Sequence, residues 1–135
     1  MDCIFCKIAK KQIPSAVLYE DKDFFAFLDI GPVNPGHTLV IPKAHYQTFL
    51  DLPKKELSNI NIVSQKLAAA IMKATNAHGF NIVMNNHPAA GQEVNHAHFH
   101  IIPRFDDDAK WLRQPKTKYK DGEIDLIAAK IKSLL

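Results

Sequence analysis

Apolar positions along the chain recur first at strand spacing, then at helical spacing, and then repeat that order. The stretch "AVLYEDKDFFAFLDI" reads as two strands joined at Asp21, Lys22 and Asp23, with Val17 and Tyr19 alternating on the first and Phe25 and Phe27 on the second. "GPVNPG" is a loop, punctuated by proline and glycine. "HTLVIP" is a further strand, with Leu39 and Ile41 on one face. A long helix follows, for which Asp51 is a suitable N-cap and Pro53 is tolerated in the first turn. Leu57, Ile60, Val63, Leu67, Ile71 and Ala74 then recur every three or four residues and draw an apolar stripe. Gly79 is expected to stop that helix from just beyond its C-cap. "FNIVMN" is the next strand, "NHPAAGQEV" a loop, and "NHAHFHIIPRF" another strand. The closing "EIDLIAAKIKSLL" returns to helical spacing at Ile124, Ile127, Ala128, Ile131 and Leu134.

Neighbouring strands thus follow one another as hairpins rather than in strict βαβ alternation. That order predicts an α+β fold: an antiparallel sheet of about five strands, packed by one long helix and a C-terminal helix. There is no internal repeat or linker, and 135 residues suit one domain spanning 1–135, large enough to bury roughly two-thirds of its unfolded surface. The 47% hydrophobic and 23% charged fractions are those of an ordinary globular protein. No apolar run approaches the ~20 residues that cross a bilayer, and the N-terminus has no signal-peptide core. A cytoplasmic protein without a membrane partner is therefore expected. The net charge of +3 is too small to argue for nucleic acid. "KWLRQPKTKYK", at 110–120, concentrates basic residues and is read as a solvated loop, with a role near a small phosphate-bearing ligand left open.

The chemistry gathers in "NHAHFHIIPRF". His96, His98 and His100 occupy every second position, with Ala97, Phe99 and Ile101 between them. On a strand this alternation buries the apolar set and presents three imidazoles together, ~6.5–7 Å apart along the backbone. The histidine face should then be open to a ligand or covered by something polar. Two readings compete. The imidazoles can converge on a metal. Alternatively, one is a nucleophile toward an α-phosphorus while its neighbours manage phosphate charge, since imidazole is largely neutral at pH 7 and keeps a lone pair. Backbone N–H groups around Gly91 would then serve the non-bridging oxygens. The two cysteines, Cys3 and Cys6, form "CIFC". No strand precedes them, which argues against a redox pair, and a zinc half-site needs two further ligands.

"HAHFHII" resembles the His-φ-His-φ-His-φ-φ signature of the histidine-triad (HIT) nucleotide-binding family, with φ apolar. "CIFCKI", "QIPS", "FLDIGPVNPGHTLVIPKAH", "NIVMNN" and "GQEVNHAHFHIIPR" resemble, in order, blocks of its Hint-like branch from residue 3 to about 104. The resemblance implies that His98 is the nucleophile, with His100 and His37 contacting and neutralising the phosphate. It further implies phosphate-side roles for Asn85 and Gln92, a ribose-binding role for Asp29, and a place beside the base for Ile30. Glu93 departs from the pattern, standing where eukaryotic Hint proteins carry a serine near the leaving group. Either repulsion of a polyphosphate or donation of a proton would suit an acid there. Members with an N-terminal Cys-x-x-Cys are similar to galactose-1-phosphate uridylyltransferases, which implies a structural zinc on Cys3, Cys6, His45 and His96.

The function so implied is hydrolysis of purine nucleoside phosphoramidates or related P–X bonds through a nucleotidyl-His98, in a homodimer whose sheets join across the interface. The alternatives are cleavage of dinucleoside polyphosphates and a nucleotide-binding regulatory role with incidental turnover. His78 and His87 are read as helix-end and loop residues, and Trp111 as a core or seam residue.

Overall fold

A computed structural model describes residues 2–108 and 116–135. Trp111 and the first part of the basic stretch lie outside the described residues. The elements are α1 (Ile4–Ala9), β1 (Val17–Glu20), β2 (Phe24–Leu28), β3 (Thr38–Pro42), α2 (Lys54–Thr75), β4 (Gly79–Val83), β5 (Phe99–Arg104) and α3 (Glu123–Lys132). The strands form one antiparallel sheet in the order β1-β2-β3-β5-β4. The α+β class and five-stranded sheet are those expected from the apolar pattern.

Both faces of the central strands are apolar, so the sheet has two cores. On one face Phe24, Ala26, Val40, Phe99 and Ile101 pack against Ile60, Val63, Leu67 and Ile71 of α2. These four helical positions are the middle of the expected stripe, while Leu57 is only half-buried and Ala74 is exposed. On the other face Phe25, Phe27, Leu39 and Ile41 pack against Cys3, Phe5, Ile8 and Ala9 of the N-terminal segment. The histidine-bearing face is therefore neither open nor capped by polar groups along its length. An apolar helix of six residues covers part of it, too short for its spacing to be read as helical.

The boundaries of α2 differ from expectation for local reasons. Pro53 stands at the N-cap, its fixed φ of −60° leading into the first turn. Asp51 instead closes a capping box with Thr48 on the 3-10 turn Phe49–Asp51. The helix ends at Asn76, in the left-handed conformation with φ 53°, a geometry asparagine tolerates. Gly79 opens β4. The predicted C-terminal helix forms as α3, but Ile124, Ile127, Ile131 and Leu134 are all exposed.

Of the three triad histidines only His100 lies within regular β5; His96 and His98 precede the first ladder residue. The alternation nevertheless persists through the irregular lead-in, because Ala97, Phe99 and Ile101 are all buried.

The loop between β2 and β3 turns on Gly36, whose φ is +99°. A Cβ there would stand 2.8 Å from Thr75 Cγ2 at the end of α2. Gly36→Ala is expected to cost about 2–3 kcal/mol, measured by urea unfolding, from the disfavoured backbone and the clash together.

Candidate functional site

A cavity of about 500 Å³ opens where the lead-in to β5 meets the end of β2 and helix α1. Its polar wall carries Asp29, Asn85, Glu93, His98 and His100, with Gly91 beside them. Ile30 stands fully exposed at its rim. Its apolar wall includes Ile4, Phe5 and Ile8 of α1, together with Ile13. Those four were not singled out in the sequence, where Ile4, Phe5 and Ile8 lie within "CIFCKI" and Ile13 within "QIPS".

Two expected site residues sit elsewhere. His37 is buried behind His100, its Nε2 2.9 Å from His100 Nδ1. Gln92 is buried and does not line the cavity. Its amide donates to the carbonyls of Gln47 (2.7 Å) and Val94 (3.1 Å), and its Oε1 accepts the His87 N–H at 2.8 Å. It braces the loop that presents Gly91 and Glu93. His78, in the bend just before β4, accepts the Asp106 N–H on Nδ1 at 3.0 Å.

Backbone partners settle which ring nitrogen carries each proton. The Val33 N–H donates to His37 Nδ1 at 3.1 Å, so a neutral His37 keeps its proton on Nε2. That Nε2–H donates to His100 Nδ1, which puts the His100 proton on Nε2. His98 Nδ1–H donates to the His96 carbonyl at 2.7 Å, leaving the lone pair on Nε2. His96 donates from Nε2 to the Pro42 carbonyl at 2.8 Å, leaving its lone pair on Nδ1.

All four rings are biased toward the neutral form for one dominant reason. Burial disfavours imidazolium and lowers the pKa of His37 and His98, with the carboxylate of Asp29 opposing in both cases. Glu93 also pulls His98 back upward. His96 and His100 are pushed down to about 4, mainly by burial and further by neighbouring histidines. The His98 ring is held edge-on by Phe5, with centroids 5.0 Å apart and planes at 87°, and lies 4.9 Å from the His100 ring.

Among the described residues, two groups of side chains bring ligand atoms within 4.8 Å of one another: Cys3, Cys6, His45 and His96, and separately Asp29, His37 and His100. The proton assignments divide them. In the second group His37 Nε2 carries a proton, because its Nδ1 already accepts a backbone N–H, so it has no lone pair to offer a cation. In the first, the His96 Nδ1 lone pair faces Cys3 Sγ at 3.4 Å and Cys6 Sγ at 3.5 Å, and His45 Nδ1 lies 3.4 Å from Cys6 Sγ. The Nε2–H···O=C bond to Pro42 is the outer-shell contact that usually orients a metal-binding imidazole. Burial and the adjacent Cys3 thiol push the Cys6 thiol up, so a cation there would have to displace its proton.

The HIT domain family matches residues 10–107. An uncharacterized HIT-like protein of Methanocaldococcus jannaschii is 48% identical over 130 residues, 96% of this chain and 98% of that protein. The adenosine 5'-monophosphoramidase of Saccharomyces cerevisiae is 45% identical over 105 residues, 78% of this chain and 64% of that enzyme. A crystal structure of a HIT family protein from Bacillus subtilis superposes with a TM-score of 0.90 at 39% identity, covering 100% of this chain and 98% of the other.

Proposed function

Because the chain belongs to the HIT domain family, we propose that it is a nucleotide hydrolase that cleaves purine nucleoside phosphoramidates or related P–X bonds through a nucleotide carried on His98. The observation that carries this reading is the Nε2 lone pair of a neutral His98 on the wall of a nucleotide-sized cavity. Its Nε2 attacks the α-phosphorus, the P–N bond breaks, and the departing amine takes up a proton from water. A water molecule then displaces the nucleotide, the Nε2–P bond breaks, and the lone pair returns to His98.

The remaining roles follow from donors and acceptors. His100 Nε2–H, the end of the chain from Val33 through His37, donates to a non-bridging oxygen as charge builds on it. Asn85 and the backbone at Gly91 serve the same phosphate. Asp29 accepts the Gly31 N–H on Oδ1 at 2.9 Å and keeps acceptor capacity for ribose hydroxyls, while Ile4, Ile8, Ile13 and Ile30 border the base. The yeast relative, an adenosine 5'-monophosphoramidase, supports this substrate class.

Glu93 favours a neutral leaving group. Its carboxylate acts on His98 across the cavity and would repel the further phosphates of a dinucleoside polyphosphate. Incubation with adenosine phosphoramidate and, separately, a diadenosine polyphosphate tests the reading. Faster turnover of the first is expected; tight AMP binding with negligible turnover of both would replace it with a regulatory role. Glu93→Gln is expected to raise polyphosphate turnover relative to phosphoramidate turnover by about three- to tenfold, read as the ratio of kcat/KM values.

We further propose that Cys3, Cys6, His45 and His96 hold a structural zinc. Zinc bonds of ~2.3 Å to sulfur and ~2.0 Å to nitrogen, at tetrahedral angles, separate S and N by roughly 3.5 Å, close to the 3.4–3.5 Å found here. Four protein ligands leave no open position, so the ion would fix the N-terminus and not enter the reaction. A homodimer built through the β4 edge, where Phe80 and Ile82 are exposed, is expected from sedimentation.

A further inference from the structure

A buried ion pair lies at the C-terminal end of β5, outside the cavity lining, and none of the roles above uses it. Arg104 Nε donates to Asp108 Oδ2 at 2.9 Å, and both side chains are only 8% exposed. Arg104 Nη2 also donates to the Asp108 carbonyl at 2.9 Å, and Nη1 reaches Asn81 Oδ1 at 3.3 Å. Asp108 lies one residue beyond the family match. Burying such a pair yields little stability, so its use is better sought in what it holds in place.

It holds Asn34. The Asn34 amide donates to the Pro103 carbonyl at 2.9 Å and to the Asp108 carboxylate, so both of its protons are committed to one fixed orientation. Asn34 in turn sits inside the turn that orients His37. The His37 N–H donates to the Asn34 carbonyl at 3.0 Å, and the next residue back, Val33, supplies the N–H that occupies His37 Nδ1. At Gly36 the same turn runs close to Thr75 and Pro103, leaving no room for a side chain. The base of the loop is closed by the Asp29 N–H on the His37 carbonyl at 2.9 Å.

We propose that Asn34, clamped by Asp108 and Arg104, is a positioning residue that fixes the His37 tautomer and, through it, the His100 proton that faces the phosphate. A loosened turn would withdraw the Val33 N–H, free His37 Nδ1 to take the proton, and leave His100 Nδ1 without its donor. His100 would then present either nitrogen to the phosphate, and donation to the developing negative charge would be lost in part of the population. The inference rests on the assignment of His100 to the phosphate, with His37 behind it, made above.

The test uses the full chain with 15N-labelled histidine and the variants Asn34→Ala and Asp108→Asn. The ring-nitrogen shifts of His37 and His100 report the tautomers, independently of turnover. In wild type both rings should show the Nε2–H form. In Asn34→Ala, His37 should show a mixture, with kcat for adenosine phosphoramidate down about tenfold and KM changed by less than about threefold. Asp108→Asn, which keeps a weaker acceptor in place, should show a smaller shift in the same direction. It supplies the answer if Asn34→Ala does not fold. Unchanged tautomers in a folded variant, or lowered thermal stability with wild-type kcat, overturn the proposal. A wild-type chain without turnover of any nucleotide substrate would instead defeat the hydrolase reading, and the ring shifts would still decide whether the clamp sets the tautomers.

Discussion

His98→Asn is expected to lower kcat for adenosine phosphoramidate by at least about 10⁴-fold while leaving AMP affinity within about tenfold of wild type. The substitution deletes one atom that matters, the Nε2 whose lone pair is exposed because Nδ1–H is bound to the His96 carbonyl. An asparagine amide can still donate to that carbonyl. The other groups that meet the nucleotide, among them Asp29, Asn85 and His100, stay in place. Steady-state kinetics and calorimetric titration with AMP read the two quantities. Rapid quenching of wild type during turnover should also yield chains heavier by one nucleotide, and the variant none. A variant that keeps turnover within tenfold of wild type would remove His98 from the role of nucleophile.

Loss of the proposed zinc is expected to have the larger effect on stability. Cys3→Ser, or exhaustive treatment with a strong chelator, should lower stability by at least about 3 kcal/mol, seen as a fall in Tm of roughly 10 °C. Helix α1 has only six residues and cannot persist through its own hydrogen bonds. It is tied down by its apolar contacts to Phe27 and Leu39 and by the two cysteines at its start and within it. Since Ile4, Phe5 and Ile8 also line the cavity, AMP affinity should weaken with the metal gone, by about tenfold or more. By reciprocity, bound nucleotide should raise the chelator concentration needed to withdraw the ion at equilibrium. Metal content near one zinc per chain, measured by emission spectroscopy, is the first check. A metal-free chain with wild-type Tm and AMP affinity would overturn the assignment.

The sequence spoke most clearly where one side of an element is buried and the other is not. Ile60, Val63, Leu67 and Ile71 recur at helical spacing because a single face of α2 meets the sheet, and each was read correctly as core. Ala97, Phe99 and Ile101 were equally plain. What misled was the inference drawn from them, that the opposite face must be open or polar. Phe25, Phe27, Leu39 and Ile41 lie on that face, and only a long-range contact reveals that "CIFCKI" folds back to cover them. Two rows of apolar residues on adjacent strands carry no label saying what packs on each. Helix ends were less legible for a related reason: Asp51 and Gly79 are the right residue types for caps, but Pro53 and Asn76 occupy the positions where the backbone actually changes. Of the site, most polar residues facing the cavity were legible from the family pattern, whereas the apolar wall of Ile4, Phe5, Ile8 and Ile13 was not. Nor was Gln92, because an amide spent on three backbone groups and one offered to phosphate look alike in a string of letters.

Helix α1 has one more consequence. The groups that would make and break bonds hang from the sheet and its approaches, whereas much of the surface that would judge which base has arrived belongs to the first thirteen residues. On this reading selectivity and reactivity would be written on separate stretches of polypeptide. Exchanging the side chains at positions 4, 8 and 13 among relatives should retune nucleobase preference without disturbing the imidazoles, a division of labour that lets one reaction centre be refitted to new substrates by editing its amino end.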